Sequence, residues 1–76
     1  MGMHIFFSGI GGTAIGPLAL IAAEAGYTVS GSDKQDSQYI HYLRKHGIVN
    51  IHIGQDYESI KHIHEDEPID WLVRSS

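Results

Sequence analysis

Apolar segments with two different periods alternate along the chain. The segments predicted to be strands are residues 3–8, 27–30, 49–53 and 69–73. The segments predicted to be helices, from apolar residues spaced at a helical period, are residues 14–25, 37–46 and 57–63. Single helices between strands are typical of a parallel sheet with right-handed crossovers. We therefore expect an α/β, Rossmann-like three-layer fold, with a four-stranded parallel sheet in the order 3-2-1-4 and two or three crossover helices.

The first predicted helix is apolar on nearly every side. Thr13 is expected to be its N-cap, and Gly26 is expected to follow its last turn. Leu18 belongs to the apolar stripe that should face the sheet, whereas Leu20 and Ile21 fall outside that stripe. We expect Leu20 or Ile21 to be more exposed than its apolar character favours.

Polar residues mark the segments between these elements. Residues 31–34 are expected to form a polar loop, after which Asp36 or Ser37 caps the second helix. Residues 64–68 are expected to form an acidic, exposed loop. Trp71 is expected to pack in the core as part of the fourth strand, in preference to stacking on a base.

Composition restricts the class of protein. The 76 residues suffice for one small domain, residues 1–76, and their net charge of −4 argues against a nucleic-acid binder. Residues 1–32 carry only one charge, but their glycines and their proline make a membrane span a poor interpretation. The amino terminus also lacks the basic start of a signal peptide, so we expect a cytoplasmic protein.

A glycine-rich segment between the first strand and the first helix is the strongest candidate for chemistry. Residues 9–14 read Gly-Ile-Gly-Gly-Thr-Ala, which fits the pattern G-x-G-x-x-G/A in the strand-to-helix context that the pattern requires. Gly11 and Gly12 would let a phosphate approach the backbone closely, and the helix start offers free amides. The amides expected to bind phosphate or diphosphate are those of Gly12, Thr13, Ala14 and Ile15. The alternative is a tight turn that binds nothing.

Further candidates follow the other strands. Asp33 lies 19 residues after Ala14, the spacing at which an acidic residue contacts ribose hydroxyls in dinucleotide-binding folds, and Ser32 could assist it. Gln55 and Ser75 follow the third and fourth strands, so they also reach the ligand-binding edge. Ordinary turn residues remain an alternative interpretation of all four.

A metal site is not expected. The chain has no cysteine, and the candidate histidines, His52, His62 and His64, do not form a set of three ligands at a known spacing. No Gly-Lys-Ser/Thr sequence is present, so the chain shows no Walker A motif for ATP.

Four segments together resemble the amino-terminal domain of the Mur ligase family. They are the glycine loop with its flanks at residues 7–16, Val-Ser-Gly-Ser-Asp at 29–33, Ile-Gly-Gln at 53–55 and Val-Arg-Ser-Ser at 73–76. The segments are most similar to the branch that adds L-alanine, and the branch that recycles murein tripeptide is the alternative. The sequence departs from the family pattern at Ala14, Ile15 and Gln55, where the family usually has glycine, methionine and histidine.

The resemblance implies a function for one part of a longer enzyme. It implies that this domain holds the UDP part of UDP-N-acetylmuramate, with the diphosphate on residues 11–15, the ribose on Asp33, and Gln55 and Ser75 near phosphate or uracil. ATP and magnesium would be bound by a central domain and the amino acid by a third, so no catalytic residue and no cofactor is expected in these 76 residues.

Two other functions remain open from the residues alone. The glycine loop and Asp33 suit the first half of an NAD(P)-binding domain of an oxidoreductase almost equally well. A regulatory nucleotide sensor, complete at this length, is the third possibility.

Overall fold

The computed structural model describes residues 3–54 and 57–74, which form a four-stranded parallel sheet with three helices. The strands are β1 (His4–Ser8), β2 (Thr28–Asp33), β3 (Ile51–Ile53) and β4 (Trp71–Arg74). The helices are α1 (Ile15–Glu24), α2 (Gln38–Lys45) and α3 (Tyr57–Asp66). The strand order is β3-β2-β1-β4, so the predicted fold class and strand order are confirmed.

The central strand, β1, supplies the main core on the sheet face that α1 and α2 cover. Ile5 and Phe7 alternate along β1 and are both buried, and Ile40 and Leu43 of α2 are fully buried against the same cluster. Between β3 and β4 the chain steps back across the sheet to the other side of β1, and a right-handed crossover therefore places α3 on the opposite face. The reversal makes the gap between β1 and β4 the topological switch point.

The second strand is longer than the sequence predicted. Residues 31–33 were expected in a polar loop, but they belong to β2 and pair with β3 in parallel register. Gly31 fits there because a Cβ at this position would lie 2.6 Å from the carbonyl oxygen of Phe7. Pairing with β3, and for Gly31 and Ser32 with β1 as well, overrides the low strand propensity of glycine, serine and aspartate.

Other boundaries also differ from the prediction. Strand β3 begins at Ile51, and Val49, which was expected to belong to it, is 71% exposed. Helix α3 continues to Asp66, so the expected acidic loop at 64–68 is helical in its first half. Strand β4 begins at Trp71 and not at residue 69, and Asp70 just before it is hydrogen-bonded to His4 of β1.

Several large apolar side chains of α1 and β4 are exposed, and only some of them were expected to be. Ile21 is 62% exposed, as expected for a residue outside the apolar stripe of α1, and Leu20 is half-buried. The expectation for Leu18 was wrong, since it is 49% exposed. Trp71 is not a core residue either: it is 61% exposed, on a strand that in the described part of the chain pairs with β1 alone.

The helix ends follow the sequence in part. Ser37 is the N-cap of α2, with its Oγ accepting a hydrogen bond from the amide of Ile40 at 3.3 Å, which confirms one of the two predicted caps. Gly26 follows α1 with a positive φ of 97°, as expected for the residue after a helix.

A buried histidine links three parts of the fold. His4 is 1% exposed, and its ring Nδ1 lies 2.8 Å from the carbonyl oxygen of Glu67, to which it must donate. In the neutral ring Nε2 is then an acceptor, and the hydroxyl of Ser30 donates to it at 2.6 Å. The backbone amide of His4 also donates to the carboxylate of Asp70 at 2.8 Å. These bonds hold β2 and the connection between α3 and β4 against β1.

The buried ring makes a testable contribution to stability. The substitution His4→Ala leaves the Ser30 hydroxyl and the Glu67 carbonyl without the ring, so we expect the free energy of unfolding to fall by about 1–3 kcal/mol. Urea unfolding measures this change. His62→Ala, at a ring that is 79% exposed, is the matched control and should stay within about 0.5 kcal/mol of the parent. Equal losses in the two variants would contradict the structural role of His4.

Candidate functional site

The carboxyl ends of the four strands meet at one edge of the sheet. Strand β1 ends at Ser8, β2 at Asp33, β3 at Ile53 and β4 at Arg74. In open α/β sheets ligands bind at this edge, outside the switch point. The glycine loop that follows Ser8 lies at this edge and leads directly into α1.

The glycine loop is held by the last two residues of β2. The amides of Gly9 and Ile10 both donate to the carbonyl oxygen of Ser32, at 2.8 and 3.0 Å. The amide of Gly11 donates to Oδ2 of Asp33 at 2.8 Å. Three consecutive backbone amides of the loop are therefore fixed by one strand end.

The loop then turns on itself. Gly9 has a φ of 75°, a conformation that favours glycine, and its carbonyl oxygen accepts from the amide of Gly12 at 2.9 Å. The expectation that the Gly12 amide is free for a ligand was therefore wrong. The carbonyl of Gly12 in turn accepts from the amide of Gly16 at 2.9 Å, which starts the helical pattern.

The next three amides are open. Within residues 3–54 and 57–74, the amides of Thr13, Ala14 and Ile15 have no hydrogen-bond partner. The N-cap of α1 is Ala14, which makes no side-chain cap, so the expected capping role of Thr13 was wrong. The first turn of α1 contains no acidic residue. Open amides at the positive end of a helix dipole are suited to bind an anion.

The two central glycines have different surroundings. A Cβ at Gly11 would lie 2.8 Å from Oδ2 of Asp33 and 3.1 Å from the side chain of Ile40. A Cβ at Gly12 would meet only the carbonyl oxygen of Gly9, at 3.2 Å. Gly12 is exposed, so its missing side chain leaves room on the solvent side of the loop. Gly11 instead makes room for residues of the protein itself.

The two expected ribose-binding residues are placed differently. Ser32 is fully buried, and its Oγ has no hydrogen-bond partner in the described part of the chain, so a ligand could reach this hydroxyl only after its neighbours moved. Asp33 is partly exposed, and its Oδ1 has only a 3.5 Å contact with the amide of Gln35. Among the described residues, Oδ1 of Asp33 is therefore engaged only weakly, while Oδ2 holds Gly11.

The remaining expected residues, Gln55 and Ser75, lie outside the residues that the structure describes. Two residues that sequence reasoning missed lie at the same edge. Ser8 and Arg74 are neighbours in the parallel register of β1 and β4, beside the switch point, and Arg74 is exposed. The signal that could have found Arg74 is a cation at the carboxyl end of a predicted parallel strand.

The described residues contain neither a cluster suited to a metal ion nor a helix that could span a membrane. Among residues 3–54 and 57–74, no group of three or more His, Cys, Asp or Glu side chains is arranged to hold a metal ion. None of the helices in those same segments has the length and apolar character that crossing a membrane requires.

Comparisons with known proteins agree on one family. The family model described as "Mur ligase family, catalytic domain" matches residues 4–74. A UDP-N-acetylmuramate--L-alanine ligase from Caldicellulosiruptor bescii is 48% identical over 64 residues, which are 84% of this chain and 13% of that protein. The enzyme of the same name from Lachnoclostridium phytofermentans is 47% identical over 71 residues, 93% of this chain and 14% of that protein. The enzyme of the same name from Frankia casuarinae is 51% identical over 51 residues, which are 67% of this chain and 10% of that protein. The chain thus matches 10–14% of the length of these relatives.

The unequal surroundings of the two central glycines give a testable difference. The substitution Gly11→Ala must displace Asp33 or Ile40, so we expect it to lower the free energy of unfolding by about 1–3 kcal/mol. Gly12→Ala is the matched control and should cost distinctly less, because its methyl group would press on a single backbone oxygen, that of Gly9 at 3.2 Å, and on no side chain. Urea unfolding of both variants measures the difference. A Gly12→Ala variant as unstable as Gly11→Ala would show that the packing around Gly11 is not what requires glycine.

Proposed function

The chain belongs to the Mur ligase family, and we propose that it binds the UDP part of UDP-N-acetylmuramate as the amino-terminal domain of an ATP-dependent ligase that adds L-alanine. The observation that carries the proposal is the set of three open amides at residues 13–15, which follows a loop held rigidly by β2. The names of the relatives favour the alanine-adding branch over the tripeptide-recycling branch.

The diphosphate is proposed to lie on the start of α1. The amides of Thr13, Ala14 and Ile15 supply hydrogen-bond donors, and the absence of a side chain at Gly12 lets a phosphate oxygen approach. The Thr13 side chain is exposed and can add a hydroxyl donor. Because these amides belong to a fixed loop, little ordering accompanies binding, which favours affinity.

The nucleoside is proposed to extend from the loop along the carboxyl edge. Oδ1 of Asp33 is the oxygen available to a ribose hydroxyl, since Oδ2 is bonded to Gly11. Ser32 supports this position through its carbonyl oxygen, which holds the loop. Gln55 and Ser75 follow β3 and β4 in the sequence, and we place them near phosphate or uracil.

The chemical step is proposed to take place on other domains of a longer cytoplasmic enzyme. As the family resemblance implies, ATP and magnesium would be bound by a central domain and L-alanine by a third, and these 76 residues contain no Gly-Lys-Ser/Thr sequence. Binding the nucleotide far from the reacting carboxylate lowers the entropy cost of bringing the reactants together. The exposed apolar side chains of Ile21, Trp71 and Leu72 are surfaces that these domains could cover.

A ligand titration tests the proposed site. When UDP-N-acetylmuramate is added to the ¹⁵N-labelled chain, we expect the amide resonances of residues 11–15 and 31–33 to shift, because these residues form the loop and the strand end beneath it. The amides of residues 46–50, before β3 and at the opposite edge of the sheet, are the internal control and should stay in place. No movement at millimolar ligand would contradict the proposal, and larger shifts with NADH than with UDP would favour a dinucleotide-binding domain.

A further inference from the structure

Three loops at the carboxyl edge meet at a single residue, Asp33. Its Oδ2 accepts from the amide of Gly11 at 2.8 Å, and its backbone oxygen accepts from the amide of Gly54 at 2.6 Å. Its Oδ1 lies 3.5 Å from the amide of Gln35. The residue therefore contacts the glycine loop, the turn after β3 and the start of its own loop.

The contact with Gly11 is closely fitted. A Cβ at Gly11 would lie within 2.8 Å of the Asp33 carboxylate and 3.1 Å of Ile40, so the backbone approaches both side chains only because residue 11 is glycine. A hydrogen bond from a backbone amide to a carboxylate is charge-assisted and stronger than a bond between neutral groups. Gly11 and Asp33 thus depend on each other: the missing side chain at Gly11 leaves room for the carboxylate that accepts its amide hydrogen.

We propose that Asp33 is a positioning residue for the anion-binding loop. Its carboxylate fixes the amide of Gly11, and the next amide, that of Gly12, is bonded to the carbonyl oxygen of Gly9. Together these two bonds fix the orientation of the open amides of residues 13–15. The consequence for ligands rests on the proposed function, whereas the positioning itself is a property of the free protein. The role is distinct from a ribose contact, because it affects any anion that binds the loop, with or without a sugar.

Electrostatic repulsion and positioning predict opposite effects on anion affinity when the Asp33 carboxylate is removed. A carboxylate close to a diphosphate site repels the ligand, so electrostatics alone predicts that its removal tightens anion binding. A ribose contact predicts that removal weakens the binding of UDP and leaves a sugar-free diphosphate unaffected or tighter. Positioning predicts that both ligands bind more weakly, in spite of the lost negative charge.

The experiment compares UDP with inorganic pyrophosphate on variants of the chain. For Asp33→Ala we expect the pyrophosphate affinity to weaken about tenfold, since a hydrogen bond to a charged group contributes on the order of one power of ten to an equilibrium constant. The UDP affinity should weaken by at least as much, because the variant also removes the proposed ribose contact. Asp33→Asn retains an acceptor for the Gly11 amide and should restore most of the pyrophosphate affinity. Asp36→Ala removes the same charge from an exposed residue of the same loop and is the control, expected to match the parent or to bind slightly more tightly.

Hydrogen exchange of single amides tests the positioning without a ligand. In the parent chain the Gly11 amide should exchange more slowly than the Thr13 amide, which has no partner in the described part of the chain. In Asp33→Ala the Gly11 amide should lose this protection, and in Asp33→Asn it should keep most of it.

The possible outcomes separate the two proposals. Equal exchange of Gly11 and Thr13 in the parent, or a loss of affinity in Asp33→Ala confined to UDP, would overturn the positioning role. If Asp33→Ala does not fold, the Gly11 amide in the parent and in Asp33→Asn still tests the role: it must be protected in the parent and keep most of that protection in Asp33→Asn, and failure of either would overturn the proposal. If the parent binds neither UDP nor pyrophosphate but Gly11 is protected through Asp33, the proposed function fails while the positioning role stands.

Discussion

The candidate site depends on the way the end of β2 holds the glycine loop. The carbonyl oxygen of Ser32 and the carboxylate of Asp33 accept hydrogen bonds from three successive amides, those of residues 9–11. These amides follow β1 and have no strand partner of their own, and without such acceptors they would be left unsatisfied or exposed to water. Once they are fixed, the bond from the Gly12 amide to Gly9 and the first turn of α1 can form, and these orient the open amides of residues 13–15.

The same arrangement reconciles the Asp33 carboxylate with the anion binding that we propose for the loop. Asp33 lies next to a site that should attract negative charge, in a chain whose net charge is −4. Its Oδ2 is neutralised in part by the Gly11 amide, and the open amides come later in the loop. The positive end of the α1 dipole has no acidic residue in its first turn to oppose it. If the proposed site binds an anion, the local field at the amides outweighs the net charge of the chain.

Most of the fold could be predicted from the sequence because apolar periodicity reports the sheet and its covering helices directly. The errors occur where tertiary pairing overrides local preference: residues 31–33 look like a loop and become strand because β3 pairs with all three of them and β1 pairs with the first two. Trp71 looks like a core residue, yet it lies exposed on β4, which has a single neighbour. The predicted strand order already placed β4 at the end of the four strands, but the sequence pattern does not show how much of that strand the helices cover.

The site was predictable as a location more than as a set of contacts. The spacing of the glycines located the loop and the interval to Asp33 located the strand end, because both follow from the geometry of a β-α-β unit. The pattern could not show that the missing side chain at Gly11 makes room for Asp33 and Ile40, since that packing depends on the position of α2 relative to the loop. Nor could it show that the Gly12 amide is occupied by Gly9. An aspartate at the ribose-binding spacing is thus also an internal ligand of the loop, and its two oxygens can serve the two roles separately.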